Sequence, residues 1–320
     1  MTDKNLEQEL NESEKWLVVG LEVIKNNEAF AKQEEKAKIL NMYRDVNQCI
    51  YVEKGETLII SAGSVWRFAE RTGIIVKGGL LQILGSKNNP VFLQAQESTW
   101  EGIVIDDSKL ENKIDNTKIT EVKSVDCGAI TLFESKLSIN YSNIHECESD
   151  IGGGIYTENS EISIDQCNIN GNFARTFSGG GMYNYKSKVY IRQSKITDNT
   201  SGYGGGIANY NCPDIRIMSS IISQNTADKW DGGGIFNYQS KIVLIDAKIT
   251  KNSAIYGGGI ANFYNSETRM KNTLISDNIA SKDGGGIFNV DSLFFFDGKN
   301  TICRNTPNDK YELINQMNKR

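Results

Sequence analysis

The chain has 320 residues, 39% apolar and 23% charged, with a formal net charge of −5. That length holds one large domain or two ordinary ones and buries a substantial core. The mild acidity argues against nucleic acid, whose binders concentrate Lys and Arg on one face, and here the lysines are scattered with no basic run interleaved with aromatics.

Residues 1–45 are rich in Glu, Lys, Asn and Leu and almost free of glycine. Met1 to Leu10 is acidic where a secretory signal would be basic and then apolar. The longest apolar candidate, Trp16 to Ile24, has nine residues including a glycine and a glutamate, too short to span a bilayer. These features predict a cytoplasmic chain with no membrane insertion, reaching a cell surface only by a non-classical route. The run from Asn27 through Tyr43 reads as a capped helix with Phe30, Ala37 and Leu40 on one face. Residues 1–45 are therefore expected to form an α-helical N-terminal cap, or a segment that docks a partner through Trp16 and Leu17.

From about Val46 to Ile151 short β-branched runs follow one another: Gly55 to Val65, Gly73 to Leu80, Pro90 to Gln94 and Trp100 to Ile105. Beyond them the pattern becomes strict. Gly-Gly-Gly begins at Gly152, Gly179, Gly204, Gly232, Gly257 and Gly284, in steps of 27, 25, 28, 25 and 27 residues. Behind each triplet stands an apolar residue (Ile155, Met182, Ile207, Ile235, Ile260, Ile287). An alternating pair comes next, such as Ile162/Ile164 and Ile242/Leu244, then a third column from Ile169 to Ile302. Three short period-two stretches per repeat describe three strands per coil; a helical solenoid would need longer runs at 3.6 spacing.

Stacked coils lie about 4.8 Å apart, so identical residues fall above one another. Two asparagine columns fit that geometry. One runs Asn172, Asn199, Asn225, Asn252, Asn278, Asn305; the other runs Asn184, Asn209, Asn237, Asn262, Asn289, with Thr157 in its first slot. Asparagine tolerates left-handed backbone at a corner, and stacked amides bond from coil to coil. The glycines are expected at the other corner, where positive φ or close backbone approach excludes a Cβ. At the far end, Leu293 to Phe296 is expected to close the core and residues 306–320 to form a tail.

These words resemble two groups of proteins. The stretch from Gly55 to Ile105 looks like the opening coils of the pectin-lyase-like superfamily. The later GGGI and I-x-x-N words are similar in type to the G-G-A-[ILV] and F-x-x-N repeats of chlamydial polymorphic membrane proteins. The resemblance implies an all-β, single-stranded right-handed parallel β-helix of about ten coils over residues 46–305. Its function stays open, because that fold hosts lyases, hydrolases, epimerases and adhesins.

The triplets are not nucleotide loops: no Gly-Lys-Ser/Thr opens a helix and no G-x-G-x-x-G follows a strand. Six cysteines show no C-x-x-C spacing and the chain has a single histidine, so no metal site or cofactor is expected and the thiols read as reduced and mostly buried. His145 reads as an outward surface residue, Cys147 as small filler in the asparagine column, and no catalytic residue is assigned. In polysaccharide-cleaving β-helices the chemistry sits on an outer sheet face and its adjoining loops. The corresponding loops here align Arg175, Tyr203, Trp230, Asp231, Tyr256 and Asp283 along one edge. A second stripe, Tyr185, Tyr210, Tyr238 and Phe263, follows the asparagines directly. Tyr203, Trp230, Asp231, Tyr256, Asp283, Tyr185, Tyr210 and Tyr238 are thus the candidate binding residues. They suit a non-catalytic recognition scaffold for a protein or polysaccharide partner, with a polysaccharide lyase or hydrolase as the alternative.

Overall fold

The computed structural model describes residues 36–39, 42–126 and 128–313. Every named strand in it pairs in parallel with its counterpart one coil away. Three sheets of eleven strands each result: Lys36–Ile39 to Leu293–Asp297, Tyr43–Val46 to Thr301–Cys303, and Ile50–Glu53 to Lys310–Leu313. They are called the first, second and third sheets below. The chain is a parallel β-solenoid of about ten turns, with no helix among the described residues.

One coil shows how the sequence makes the shape. Ile207–Tyr210 lies in the third sheet, Asp214–Met218 in the first and Ile221–Ser223 in the second. Ile207, Ile215, Ile217 and Ile222 point inward and are fully buried. Their outward neighbours alternate with them, as strand geometry requires. Each such isoleucine contributes on the order of 1.5–3 kcal/mol through burial, and the column continues into one core from Val46 to Ile287.

The corners follow a rule the sequence reading did not contain. Each sheet-to-sheet corner of this coil has one left-handed residue, Asn211, Ser219 or Gln224 (φ 54°, 49° and 59°), followed by a buried residue that stacks on the next coil. After Gln224 that residue is Asn225. Its Oδ1 accepts the Asn199 backbone N–H, and its Nδ2 donates to Ile196 O and to Asn252 Oδ1, at 2.9–3.0 Å. The left-handed residue is therefore the one before the ladder asparagine. Asparagine is used at this column for its amide, which satisfies buried backbone groups, and the exposed corner residue varies freely.

At the other two corners the stacking residue is chiefly serine. Ser160 N donates to Ser187 Oγ, Ser194 N to Ser220 Oγ and Ser240 N to Ser266 Oγ, at 3.1–3.2 Å. Cys167 and Cys212 occupy slots in these serine columns, and Cys147 the asparagine slot above Asn172. All three thiols are buried. Burial pushes Cys147 and Cys167 up to about 12 and Cys212 to about 11, so these cysteines are packing residues and poor nucleophiles.

The glycine triplet makes the fourth corner. Gly179 has φ 71°, and a Cβ on Gly180 would come within 2.5 Å of Gly205 O and 2.6 Å of Thr200 O. Both expected reasons for glycine thus operate, on successive residues.

Three expectations change. The segments between I-x-x-Asn and the triplets are not wholly loop. Their first residues form a fourth sheet of six short strands, Glu148–Ser149 to Ile279–Asp283, because the ladder asparagine delivers the following backbone in register. The solenoid is also longer than residues 46–305. Lys36–Ile39 pairs with Glu56–Ser61 and Tyr43–Val46 with Val65–Phe68, where a helix was expected, and Lys310–Leu313 pairs with Ile287–Val290 inside the expected tail; residues 1–35, 40 and 41 of the expected cap lie outside the described residues. Finally, only Phe294 of the terminal aromatic run packs against the core, while Leu293, Phe295 and Phe296 stay exposed at the last coil.

Candidate functional site: an aromatic face with an acidic edge

The third sheet presents two outward columns. In Ile207–Tyr210 and its neighbours the first is Tyr183, Ala208, Phe236, Ala261, Phe288 and the second is Tyr185, Tyr210, Tyr238, Phe263, Val290. The stripe expected from the sequence is therefore in register. Its rings contact across both columns: Tyr183 to Tyr210 at 5.3 Å, Tyr210 to Phe236 at 5.3 Å, Phe236 to Phe263 at 5.6 Å and Phe263 to Phe288 at 5.7 Å. Tyr210 also meets Tyr238 at 5.9 Å, whereas Tyr185 takes Lys186 Nζ over its ring at 4.9 Å. These are offset and tilted geometries that aromatic quadrupoles favour.

The loop edge beside this face forms a third column. Isolated bridges join Ser178 to Tyr203 and Asp231 to Tyr256, and Tyr256 pairs with Asp283. Tyrosine and aspartate alternate along it, and the alternation is matched on the sheet. Coils with a tyrosine before the triplet carry alanine in the first outward column (Tyr203 with Ala208, Tyr256 with Ala261). Coils with an aspartate there carry phenylalanine (Asp231 with Phe236, Asp283 with Phe288). Each coil thereby supplies one ring to the layer, from the edge or from the sheet. Tyr203 lies 5.0 Å from Phe236 and Tyr256 4.7 Å from Phe288. Ala208, Phe236, Ala261 and Phe288 are buried beneath the surrounding rings. The words IANY, IFNY, IANF and IFNV carried this signal; read as one apolar-x-Asn motif, they hid it.

Trp230 stacks on Tyr203 at 5.6 Å and 11° and remains 51% exposed. Asp231, between Tyr203 and Tyr256 in the edge column, is half-buried. Desolvation raises its carboxyl to about 6, against a partly offsetting backbone hydrogen bond from Tyr256. No cation is among the causes. Burial, helped by the Asp231 charge, raises Tyr203, and burial pushes Tyr210 up to about 12 while its hydroxyl lies 3.1 Å from Ser178 Oγ. Lys282 Nζ sits 5.4 Å above the Tyr256 ring. Asp283 meets Asn308 Nδ2 at 3.5 Å.

Two residues depart from their expected places. Arg175 does not join the edge column. It turns to the two preceding coils and bonds Asp150 and Glu148 in the nearer and Ser124 O in the farther, at 2.7–2.8 Å, and its hydrogen bond lowers the Glu148 carboxyl. That cluster pins the wide early loops to the coil below. His145 points outward as expected but is only 9% exposed, so it is not a surface residue. Burial, reinforced by Lys118, lowers its basicity.

Among the described residues no group of three or more His, Cys, Asp or Glu could hold a metal ion. Asp231 and Asp283 are two strand spacings apart in register, about 10 Å.

No protein-family model matches the chain, and no curated protein does. Among solved structures, it resembles the A-module of the Azotobacter vinelandii mannuronan C-5 epimerase AlgE4, at 12% identity and a TM-score of 0.46 over 91% of this chain and 93% of that one. The AlgE6 A-module follows at 11% identity and a TM-score of 0.38, over 92% and 94%. Likenesses this distant carry no argument about activity; the solenoid stands on its own strand register.

Proposed function

We propose that the chain is a non-catalytic recognition module that holds a neutral glycan against the aromatic third-sheet face. The observation that carries this reading is the exposed Trp230 ring stacked on the half-buried Tyr203, continuous with the ladder through Tyr210 and Tyr238. A flat, exposed indole face suits the apolar face of a pyranose, and Asp231 beside it accepts hydrogen bonds from sugar hydroxyls. An aromatic surface of this extent marks a contact site more often than bare solvent boundary.

One observation favours the alternative, an enzyme acting on a polysaccharide. A carboxyl raised to about 6 keeps a proton in weak acid and can serve as a general acid. The second carboxylate counts against it. A retaining pair needs about 5 Å and an inverting pair about 6.5–9.5 Å, whereas Asp231 and Asp283 are about two strand spacings apart.

The test is titration of tryptophan fluorescence with neutral oligosaccharides (xylan, mannan and β-glucan fragments). Of the four tryptophans, Trp66 and Trp100 are core residues and Trp16 lies outside the described residues, so it is the loss of a saturable change in Trp230→Phe that assigns the signal and supports the reading. Absence of any change, together with unretarded migration through gels containing each polymer, overturns it. Chain cleavage that vanishes in Asp231→Asn would replace it with the enzymatic alternative.

A further inference from the structure

A cavity of about 910 Å³ lies away from the aromatic face, on the outer side of the second sheet. A second, about 430 Å³, adjoins it, and the two share Gln166 as a lining residue. The floor of both is a single register column: Phe92, Lys118, Asn143, Asn168, Lys195 and Ile221, each paired with the next coil's residue. Five steps at strand spacing give a groove about 24 Å long, parallel to the solenoid axis.

One wall is the loop from Gly85 to Pro90. It is closed on itself by the reciprocal Ser86 and Asn89 backbone bonds (3.0 and 3.1 Å) and tied to the next coil by Asn116 Nδ2 donating to Gly85 O at 3.2 Å. Two and three coils further along the same first-to-second-sheet corner stand Tyr141 and Gln166, joined by a 3.1 Å hydrogen bond. The groove is thus bordered along one side by a hydrogen-bonded rim.

Its chemistry is one-sided. Lys87, Lys118 and Lys195 line it and no carboxylate does, although the chain as a whole is acidic. None of the three lysines makes an ion pair among the described residues. Amides and hydroxyls, among them Gln166, Asn168, Thr117 and Ser219, supply most of the remaining polar lining, and Asn143 Oδ1 is buried with no hydrogen-bond partner. Lys118 and Lys195 stand three coils apart, about 14 Å, a spacing that a linear ligand bridges and a compact one does not. Lysine acts as a point charge that holds phosphate-like oxyanions without a planar fork, and the groove contains no arginine.

We propose that the second-sheet groove binds a linear glycan bearing sulfate or phosphate esters, with Lys118 and Lys195 holding successive anionic groups and Asn143, Asn168 and Gln166 bonding sugar hydroxyls. The site is independent of the aromatic face. Its occupancy leaves Trp230 fluorescence unchanged, which keeps the two readings separable.

The experiment is calorimetric titration of the full chain, at moderate salt, with oligosaccharides of dextran sulfate and phosphorylated dextran, against neutral dextran and polygalacturonate. Saturable binding of either ester is expected, with loss of about tenfold or more in Lys118→Glu/Lys195→Glu. A control pair on the first sheet, Lys241→Glu/Lys271→Glu, makes the same charge change and is expected to leave affinity unchanged. Equal loss in the control would reduce the effect to overall charge and overturn the proposal. So would comparable binding of neutral dextran or polygalacturonate, or no binding of either ester by a chain whose strand content circular dichroism confirms.

Discussion

The coils before Gly152 and those after it fill the same cross-section by opposite means. After Gly152 the interior is written with one vocabulary: isoleucine on each sheet, with serine and asparagine stacked at the corners. Before it the interior is a set of unlike pieces. Trp66, Phe68 and Trp100 are fully buried, Phe68 stacks on Trp100 at 4.2 Å, and the Trp100 indole N–H donates to Thr120 O at 2.7 Å. Where later coils carry an inward apolar residue (Leu137, Ile162, Val189), an early coil carries one buried asparagine. Asn112 accepts the Leu81 N–H and donates to Ser108 Oγ, Leu110 O and Lys136 O. Repetition lets one solution serve many coils, while the early coils each needed their own.

The contrast should show most strongly at Trp100. Trp100→Ala leaves a cavity among unlike neighbours and orphans Thr120 O, a loss of about 3–5 kcal/mol, measured as a shift of the urea midpoint. A loss below about 1 kcal/mol would mean that the early core is loosely packed. In the later half, Asn225→Leu strips partners from Asn199 N, Ile196 O and the Asn252 amide together, costing about 2–4 kcal/mol. Hydrogen exchange should then rise at the Asn199 amide, which loses its acceptor in Asn225, and spread along the ladder rather than staying at one site.

Gly180→Ala forces a methyl group against the Gly205 and Thr200 carbonyls, which cannot move aside, at about 1–3 kcal/mol. Gly55→Ala, with positive φ but nothing within 4 Å, should cost less, about 1–2 kcal/mol from the backbone alone. Thermal melts of the two variants rank the crowding of the later corner against the openness of the early one.

Asp231 gives a pH signature with a definite sign. Its folded carboxyl is raised to about 6 from the ordinary 3.8, so the folded state binds the proton more tightly. That contribution favours folding at low pH and is lost as pH rises from about 4 through 6. Asp231→Asn should raise the melting temperature at pH 7 more than at pH 4, and an equal shift at both would show that the carboxyl is solvated. The smallest effect belongs to Cys212→Ser. It restores the commoner residue of its column, whose hydroxyl bonds along the ladder, and should change stability by no more than about 1 kcal/mol.

Much of this was legible from the amino acids, for identifiable reasons. The isoleucine columns and both asparagine ladders were readable because parallel stacking in register turns a chemical requirement into a repeated letter. The serine columns obey the same logic and were missed, because cysteine, alanine and threonine interrupt them at Cys167, Cys212, Ala247 and Thr273. The left-handed corner residue was misplaced by one position at the first asparagine column, since it is exposed and no residue type is imposed on it, and the second column, Asn184 to Asn289, lies inside the third-sheet strands instead of at a corner. The edge column was found because Tyr203, Asp231 and Tyr256 each sit directly before a triplet. The second-sheet groove was not, since Lys118, Asn143 and Lys195 share no letter and are gathered only by register.

The alternation of Tyr-with-Ala and Asp-with-Phe has a consequence for how such a chain can grow or shrink. Gly179 to Gly232 and Gly204 to Gly257 each span 53 positions, two coils at a time. Excising one coil would set two alanine coils side by side and leave a gap in the ring layer, or crowd two phenylalanines over one space. Excising two restores every neighbour. The natural unit of duplication along this part of the axis is therefore the coil pair, so its length changes in even increments.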